Sequence, residues 1–342
     1  MLLVDGSIGY GQVLRTSIAL SSLTLQPIKI INIRKGRPKP GLLAQHLAGI
    51  KVAGEFCNAK IKGLYVGSTE VEFYPKSHNF QQKKFINIGT AGSISLLLQT
   101  ITPILIFSDK NIEIEIKGGT AGLGAPTIEF TKHVKFPILS KLGVQIPDIE
   151  VKKQGFYPKG NGLVRVNFFQ GSKLKGVELL DRGSMKSIKG ISVAGSLPEE
   201  ISYRQANGAK NVLLKNYDVN LEIIPKTEKT LSKGTSITLW AEFENSILGA
   251  DKIGKKGISA EKIGGECAQE LIESIESNAA LDKYMSDQII PFLALAKGKS
   301  KIKVESLTEH CRTNIKVCEQ ILGVKFEIDE DKKLIEVEGI GY

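Results

Sequence analysis

Four cysteines are all this chain has, and none of them falls in a CxxC pair. Cys57, Cys267, Cys311 and Cys318 have neither the spacing of a disulfide framework nor that of a zinc site, which excludes a stapled secreted scaffold and a zinc finger. Cys311 and Cys318 lie seven apart in one helical stretch, where core packing accounts for at least one of them. Long apolar runs are missing too. The most apolar segment, residues 94–107, is broken by Gln99, Thr102 and Pro103. It falls short of the roughly 20 apolar residues that a bilayer span needs. The opening MLLVDGS lacks the basic, long-apolar and small-residue parts of a signal peptide, so a cytoplasmic protein with no membrane contact is the expectation. No low-complexity segment, no GK[ST] phosphate loop and no GxGxxG fingerprint is present.

What is there is an ordinary globular composition of 42% hydrophobic and 24% charged residues, over 342 residues. That length suggests two domains, or one large domain carrying an insertion. Lys and Arg number 46 against 36 Asp and Glu, a net charge of +10. Such a balance favours a polyanionic partner such as nucleic acid or a nucleotide, although basic enzymes without one are common.

Three stretches share one pattern: a small or polar turn, an apolar helix, a linker, a second helix and a return strand marked by Gly or Asn. The first copy has helices over residues 11–23 and 40–56 and a strand from Ala59. The second has them over residues 90–107 and 126–142, followed by Gly143 and Val144. The third has them over residues 284–296 and 307–323, followed by Val324. β-type runs at residues 28–33, 112–116 and 301–304 lie between the helices of each copy. A unit of two helices on a small sheet cannot bury its helical face alone, so three units pack together. Between copies two and three the pattern breaks. Residues 190–195, 219–224 and 236–243 read as strands, and residues 203–217 and 260–275 as helices. The predicted architecture is therefore α/β (α+β), with a large domain of three repeats over residues 1–185 and 278–342. A smaller α/β domain, residues 186–277, is inserted into it.

The chemistry-bearing residues fall at the turns. His310 stands at the mouth of the last helix, where a neutral imidazole could attack phosphorus while nearby amides favour anionic phosphate. A capping or surface histidine fits the same local pattern. DGSIGYGQVLR, residues 5–15, puts glycines before a helix whose Gln12 and Arg15 share a face and could hold phosphate oxygens; a simple tight turn would look the same. Arg34, Arg37 and Lys39 precede a proline-started helix carrying Gln45 and His46. Guanidinium forks suit the phosphate of a nucleic-acid end, against a merely solvated basic loop, and His46 equally fits a satisfied core histidine. GGTAGLGAPTIEF, residues 118–130, starts a helix at Pro126 and reads as a ligand loop or a plain connection; His133, beyond it, reads as structural. QGFYPKGNG, residues 154–162, is a hairpin or a contact loop. Gln99, polar within an apolar helix, needs a partner, either a ligand or backbone.

Five blocks in this order (DGS…GQVLR, IRxxRPKPGLLAQH, GGT…AP…F, GFYPKGNG and EHCRTNIKVCEQILG) resemble the RNA 3′-terminal phosphate cyclase family, over essentially the whole chain. The resemblance implies three βαβαββ-type repeats with a small α/β insert. It implies ATP-driven conversion of an RNA 3′-phosphate to a 2′,3′-cyclic phosphodiester, releasing AMP and pyrophosphate. In the family a histidine attacks the α-phosphorus of ATP, and that nucleophile falls on His310. The AMP passes to the RNA 3′-phosphate, and the adjacent 2′-hydroxyl displaces it. Gln99 and the run Tyr284, Met285, Ser286, Asp287 and Gln288 match ATP-contacting segments. Tyr284 and Pro126 match residues enclosing the adenine, with Phe130 nearby. Gln12 and Arg15 match residues near the phosphates, and Arg34, Arg37, Gln45 and His46 are the candidates for the RNA phosphate. A divalent cation such as Mg²⁺ would neutralise the triphosphate; Asp287 is the candidate to touch it, with an N-cap role as the other reading.

One departure stands out. The family's turn has the form GEGGGQ, whereas IGYGQ here is two residues shorter, with Tyr10 near the expected glutamate. The rivals are a noncatalytic cyclase-like ribosome-biogenesis protein, which lacks the histidine, and the enolpyruvate transferase class, whose basic substrate motifs are missing beyond Arg34 and Arg37.

Overall fold

One strand arrangement is used three times. In the computed structural model, which describes residues 1–8 and 11–342, the first sheet has the order β1-β2-β4-β3. It consists of β1 (Leu2–Asp5), β2 (Ile28–Ile31), β3 (Lys60–Lys62) and β4 (Val71–Tyr74). Its first pair is parallel and the other two antiparallel. β5 (Lys83–Asn87), β6 (Ile112–Gly118), β7 (Asp148–Lys153) and β8 (Gly162–Phe168) repeat that order and those directions. The third sheet begins with β9 (Glu178–Leu179), and there the chain leaves it. β10 (Met185–Gly195), β11 (Asn220–Glu228), β12 (Gly234–Phe243) and β13 (Ile247–Ile253) build a separate sheet ordered β11-β10-β12-β13. The chain then returns through β14 (Lys297–Lys303), β15 (Phe326–Asp329) and β16 (Leu334–Ile340), completing the order β9-β14-β16-β15. The fold is mixed α/β.

Alternation explains the strands. In β6, Ile112, Ile114 and Ile116 are buried while Glu113, Glu115 and Lys117 face outward, the period-two pattern of a half-buried sheet. The helices that cover the sheets in the repeats are α1 (Gly11–Thr24), α2 (Ala44–Phe56), α3 (Ile94–Leu105), α4 (Ile128–Phe130) and α5 (Phe136–Ser140). After α6 (Glu200–Leu213) and α7 (Ala260–Glu276) of the interrupting unit come α8 (Met285–Gln288), α9 (Ile290–Leu295) and α10 (Glu309–Leu322). α10 has both ends specified locally. The Thr308 side chain accepts the Cys311 amide at 3.1 Å, and Gly323 takes the left-handed conformation that suits glycine, with φ 72°.

Prolines and turns shift several boundaries from those predicted. The second helix starts at Ala44 rather than Pro40, because Gly41 and Leu42 give their amides to Ile33 and Ser68 across the loop. The helix predicted over residues 126–142 is three pieces: Pro126 lies outside it, Thr127 caps it, and a π-turn (Thr131–Lys135) precedes α5. Pro137 brings no amide hydrogen, and the Phe136 amide reaches instead to the Thr131 carbonyl. The 284–296 helix is likewise split, with Pro291 opening α9. β13, which sequence pattern did not reveal, mixes Asp251 and Lys252 into an otherwise apolar edge.

Two apolar cores form. The larger is built by the three repeats; the smaller gathers Ile188, Leu239, Leu271 and their neighbours between β10 and α7. All four cysteines are free and buried, and burial pushes the Cys311 thiol up to about 12. α1 packs against α2, α3 and α10 at once, so it is buried on nearly every side despite its serines and threonines. The 154–162 segment is the hairpin joining β7 to its antiparallel neighbour β8, and it is a contact loop as well: Phe156 packs on Gly195 and Gly234, and Ser232 accepts the Lys159 amide at 3.0 Å.

In the smaller core α6 and α7 touch through backbone. A β-carbon on Gly264 would collide with the Gln205 carbonyl, whereas one on Gly265 would meet the Val212 side chain and the Gly208 carbonyl at ordinary contact distances. Gly264→Ala is expected to destabilise the protein by about 1–3 kcal/mol, and Gly265→Ala to be neutral or stabilising. Urea unfolding of the pair decides it, and equal midpoints would remove the close approach as the cause.

Candidate active site

Where the three repeats' helices meet, a cleft of about 430 Å³ opens beside α10. Its wall includes Gln12, Arg15, Gln99, Pro126, Phe130, Tyr284, Asp287, Gln288 and His310, nine of the sequence-nominated residues. These come from five separate stretches of the chain, at or just before α1, α3, α4, α8 and α10.

His310 occupies the first turn of α10 and is exposed at the cleft's edge. Desolvation by the protein beneath it, together with the positive charges of Arg15 and Arg37, lowers its pKa against the opposing pull of Glu309. The neutral imidazole is therefore the dominant form at neutral pH. Below it, the Arg15 guanidinium donates to Gln99 Oε1 at 3.0 Å and to Gln12 Oε1. The partner of the polar residue in the apolar α3 is thus a side chain of α1. Desolvation brings Arg15 down to about 10, Asp287 acting the other way.

Two hydrogen bonds set the register of these parts. Thr16 on α1 donates to Asn314 Oδ1 at 2.7 Å, and Asn314 Nδ2 donates to the Asp287 carbonyl at 2.7 Å. Asn314 is one turn beyond His310, so the pair of bonds places the imidazole relative to both α1 and α8. Sequence reasoning missed Asn314, though a polar residue one turn from the histidine and beside Ile315 was a usable signal.

Met285 and Ser286 do not reach the cleft; both are buried, and Ser286 Oγ donates to the Lys283 carbonyl. The N-cap reading of Asp287 is corrected as well. Asp282 does that work: its Oδ1 accepts the Tyr284 and Met285 amides at 2.9 and 2.8 Å. Asp287 instead faces Arg15 and Lys135. Burial raises its carboxyl to about 7, partly offset by those two cations. Lys135, 1% exposed, is brought down to about 7 by the same burial. Among the described residues no cluster of three or more His, Cys, Asp or Glu converges. One carboxyl between two cations does not fit a protein-held divalent cation.

The second basic block sits at the same edge. Arg34 donates to the Gly41 carbonyl at 2.8 Å, and Arg37 is exposed and near enough to be felt by Arg34 and His310. Gln45 Oε1 accepts the Ser93 amide at 3.1 Å. His46 is 6% exposed; its Nδ1 accepts the Leu43 amide at 3.0 Å, closing the first turn of α2. Burial, with Arg15 and Arg34 nearby, drives its pKa down to about 3. Both of these polar groups are engaged by backbone, beside rather than in the cleft. Tyr10, at the shortened turn, lies outside the described residues.

Comparison with known proteins bears on this geometry. A family model described as "RNA 3'-terminal phosphate cyclase" matches residues 7–328. The chain belongs to the RNA 3′-terminal phosphate cyclase family. Curated relatives of that name include one from Thermococcus onnurineus, 42% identical over 331 residues covering 96% of each chain. Another, from Methanosarcina barkeri, is 42% identical over 340 residues, 98% of this chain and 99% of the relative. A third, from Pyrococcus abyssi, is 41% identical over 332 residues, 96% and 95% of the two. Among the described residues of this family member, no helix is long and apolar enough to cross a membrane.

A lysine whose pKa falls on folding leaves the unfolded chain holding more protons between about 7 and 10.5, so stability rises with pH across that window. Below about 7 the cost of burying the charged amine is present in full. Relative to Lys135→Met, the unsubstituted protein should therefore gain stability between those two ends, read by denaturant unfolding at each. A gap that does not change with pH would give Lys135 an ordinary pKa.

Proposed function

We propose that this protein uses ATP to convert an RNA 3′-terminal phosphate into a 2′,3′-cyclic phosphodiester, through a covalent His310–AMP intermediate. The observation that carries the reading is the placement of His310. A neutral imidazole stands at the edge of a cleft whose floor holds Arg15 and whose far walls are Pro126, Phe130 and Tyr284. That layout offers flat apolar surfaces to a purine, amide and guanidinium donors to phosphates, and a nucleophile at the phosphate end. Family membership and the +10 charge point to the same substrate class.

An imidazole nitrogen attacks the α-phosphorus of ATP, the bond to the β-phosphate oxygen breaks, and pyrophosphate leaves. An oxygen of the RNA 3′-phosphate then attacks that phosphorus, the P–N bond breaks, and the RNA end carries AMP in a phosphoanhydride. Finally the 2′-hydroxyl oxygen attacks the terminal RNA phosphorus, loses its proton, and displaces AMP. Activation is needed because a phosphate monoester dianion is a poor electrophile with a poor leaving group. Arg15, held by Gln12 and Gln99, is pre-aimed at phosphate oxygens without rearranging, which is where electrostatic catalysis draws its strength. Arg34 and Arg37, on the His310 side, suit the incoming RNA phosphate. Any divalent cation would enter on the nucleotide's own oxygens.

Incubation with α-labelled ATP should leave acid-labile, alkali-stable label on the protein, as a phosphoramidate does, and His310→Ala should abolish it. Label that survives the substitution moves the nucleophile elsewhere; no label on either protein supports a noncatalytic scaffold. Because the folded pKa of His310 lies below 6.5, the nucleophilic neutral form persists to lower pH than an ordinary histidine's. The acid limb of the labelling rate should then fall below pH 6.5, and a limb above it would contradict the desolvated, cation-flanked environment.

A further inference from the structure

The unit that interrupts the third repeat reaches into the cleft: Asp251, Lys252, Ile253 and Lys255, on β13 and just after it, line its wall. It also holds two facing parts of that wall. On one side, Asp251 Oδ2 accepts the Thr127 amide at 2.7 Å, and Thr238 of β12 bonds the Thr127 hydroxyl at 2.7 Å. Gly249 packs on the Phe130 ring so closely that a β-carbon would collide with it. On the other side, the Gly249 amide donates to Asp282 Oδ2 at 3.0 Å, while Asp282 Oδ1 takes the Tyr284 amide. The Tyr284 hydroxyl donates to Glu270 on α7. Glu270, 6% exposed, also pairs with Lys252 and, at 2.8 Å, with Lys283. Tyr284 and Phe130 meet edge to face, 6.0 Å between centroids at 86°.

We propose that the inserted unit is the clamp of the base pocket: Asp251 fixes the Pro126–Phe130 wall and Glu270 fixes the Tyr284 ring that meets it edge to face, so that the surface the two present to the cleft is set in advance for one flat heteroaromatic base. This rests on the nucleotide reading above. Glu270 is a positioning residue, acting through Tyr284. A phenol tethered at backbone and hydroxyl loses little rotational freedom when a base stacks on it, and that saving appears as affinity.

The test titrates α,β-methylene ATP, which cannot release pyrophosphate, into the full-length protein and into Tyr284→Phe, Glu270→Ala and their combination. Losing one charge-assisted hydrogen bond should weaken binding about tenfold in each single variant. The combined variant should be no weaker than Glu270→Ala, since that substitution already removes the bond that Tyr284→Phe removes. Glu270→Gln keeps an oxygen acceptor for the phenol and should recover most of the loss. Tyr284→Phe preserves shape and reads the clamp even where Glu270→Ala fails to fold. A 3′-phosphorylated oligoribonucleotide titrated alongside should bind all variants alike. Unchanged nucleotide affinity in Tyr284→Phe, additive losses, or equal weakening of oligonucleotide binding would each overturn the clamp and leave the nucleotide site standing. No binding by the unsubstituted protein would instead remove the nucleotide reading, and the clamp with it.

Discussion

Asn314 is the point on which the cleft depends. Its amide group spans α1 and α8 with two hydrogen bonds of 2.7 Å each, one accepted from Thr16 and one donated to the Asp287 carbonyl. Apolar packing among α1, α9 and α10 is nearly indifferent to a small slide along a helix axis, because one buried methyl replaces another. A buried amide is not indifferent: losing a partner leaves a desolvated polar group costing about 1–3 kcal/mol. One residue therefore converts a greasy helix junction into a registered one, and His310 lies one helical turn away from it.

Beneath the imidazole the charges do not cancel. Arg15 and Lys135 share a single carboxyl, Asp287, in a partly desolvated setting where each member shifts its neighbours' titration. An arrangement one anion short is expensive in the empty protein and suited to receiving a phosphate, a trade of stability for function common at active sites. The same deficit bears on the metal. With cations on both sides, Asp287 has no spare attraction for a divalent ion.

The interruption of the third repeat is where topology and chemistry meet. The first two repeats pass from their opening strand directly into a helix; the third makes the same passage only after the four strands and two helices of the smaller sheet. The chain thus re-enters the large domain at Asp282–Tyr284, at the cleft's wall, and the residues of β13 and α7 arrive there with it.

Much of this was legible in the residues themselves. Alternating isoleucines in β6, the Thr308 and Gly323 caps of α10, and three recurrences of one helix–strand pattern are local signals, because propensity, capping and period act over a few residues. So is the chemistry latent in EHCRTN and in the paired Gln12 and Arg15. Tertiary structure alone decided which of these residues meet. It turned His46 and Gln45 toward backbone amides, sank Met285 and Ser286 into the core, gave Gln99 to Arg15, and brought Asp251 to the cleft and Lys135 to the buried side of Asp287 from segments with no motif to mark them. The reason is physical: a side chain's partner in a buried junction is chosen by desolvation and register among distant segments, and neither quantity exists until those segments are packed.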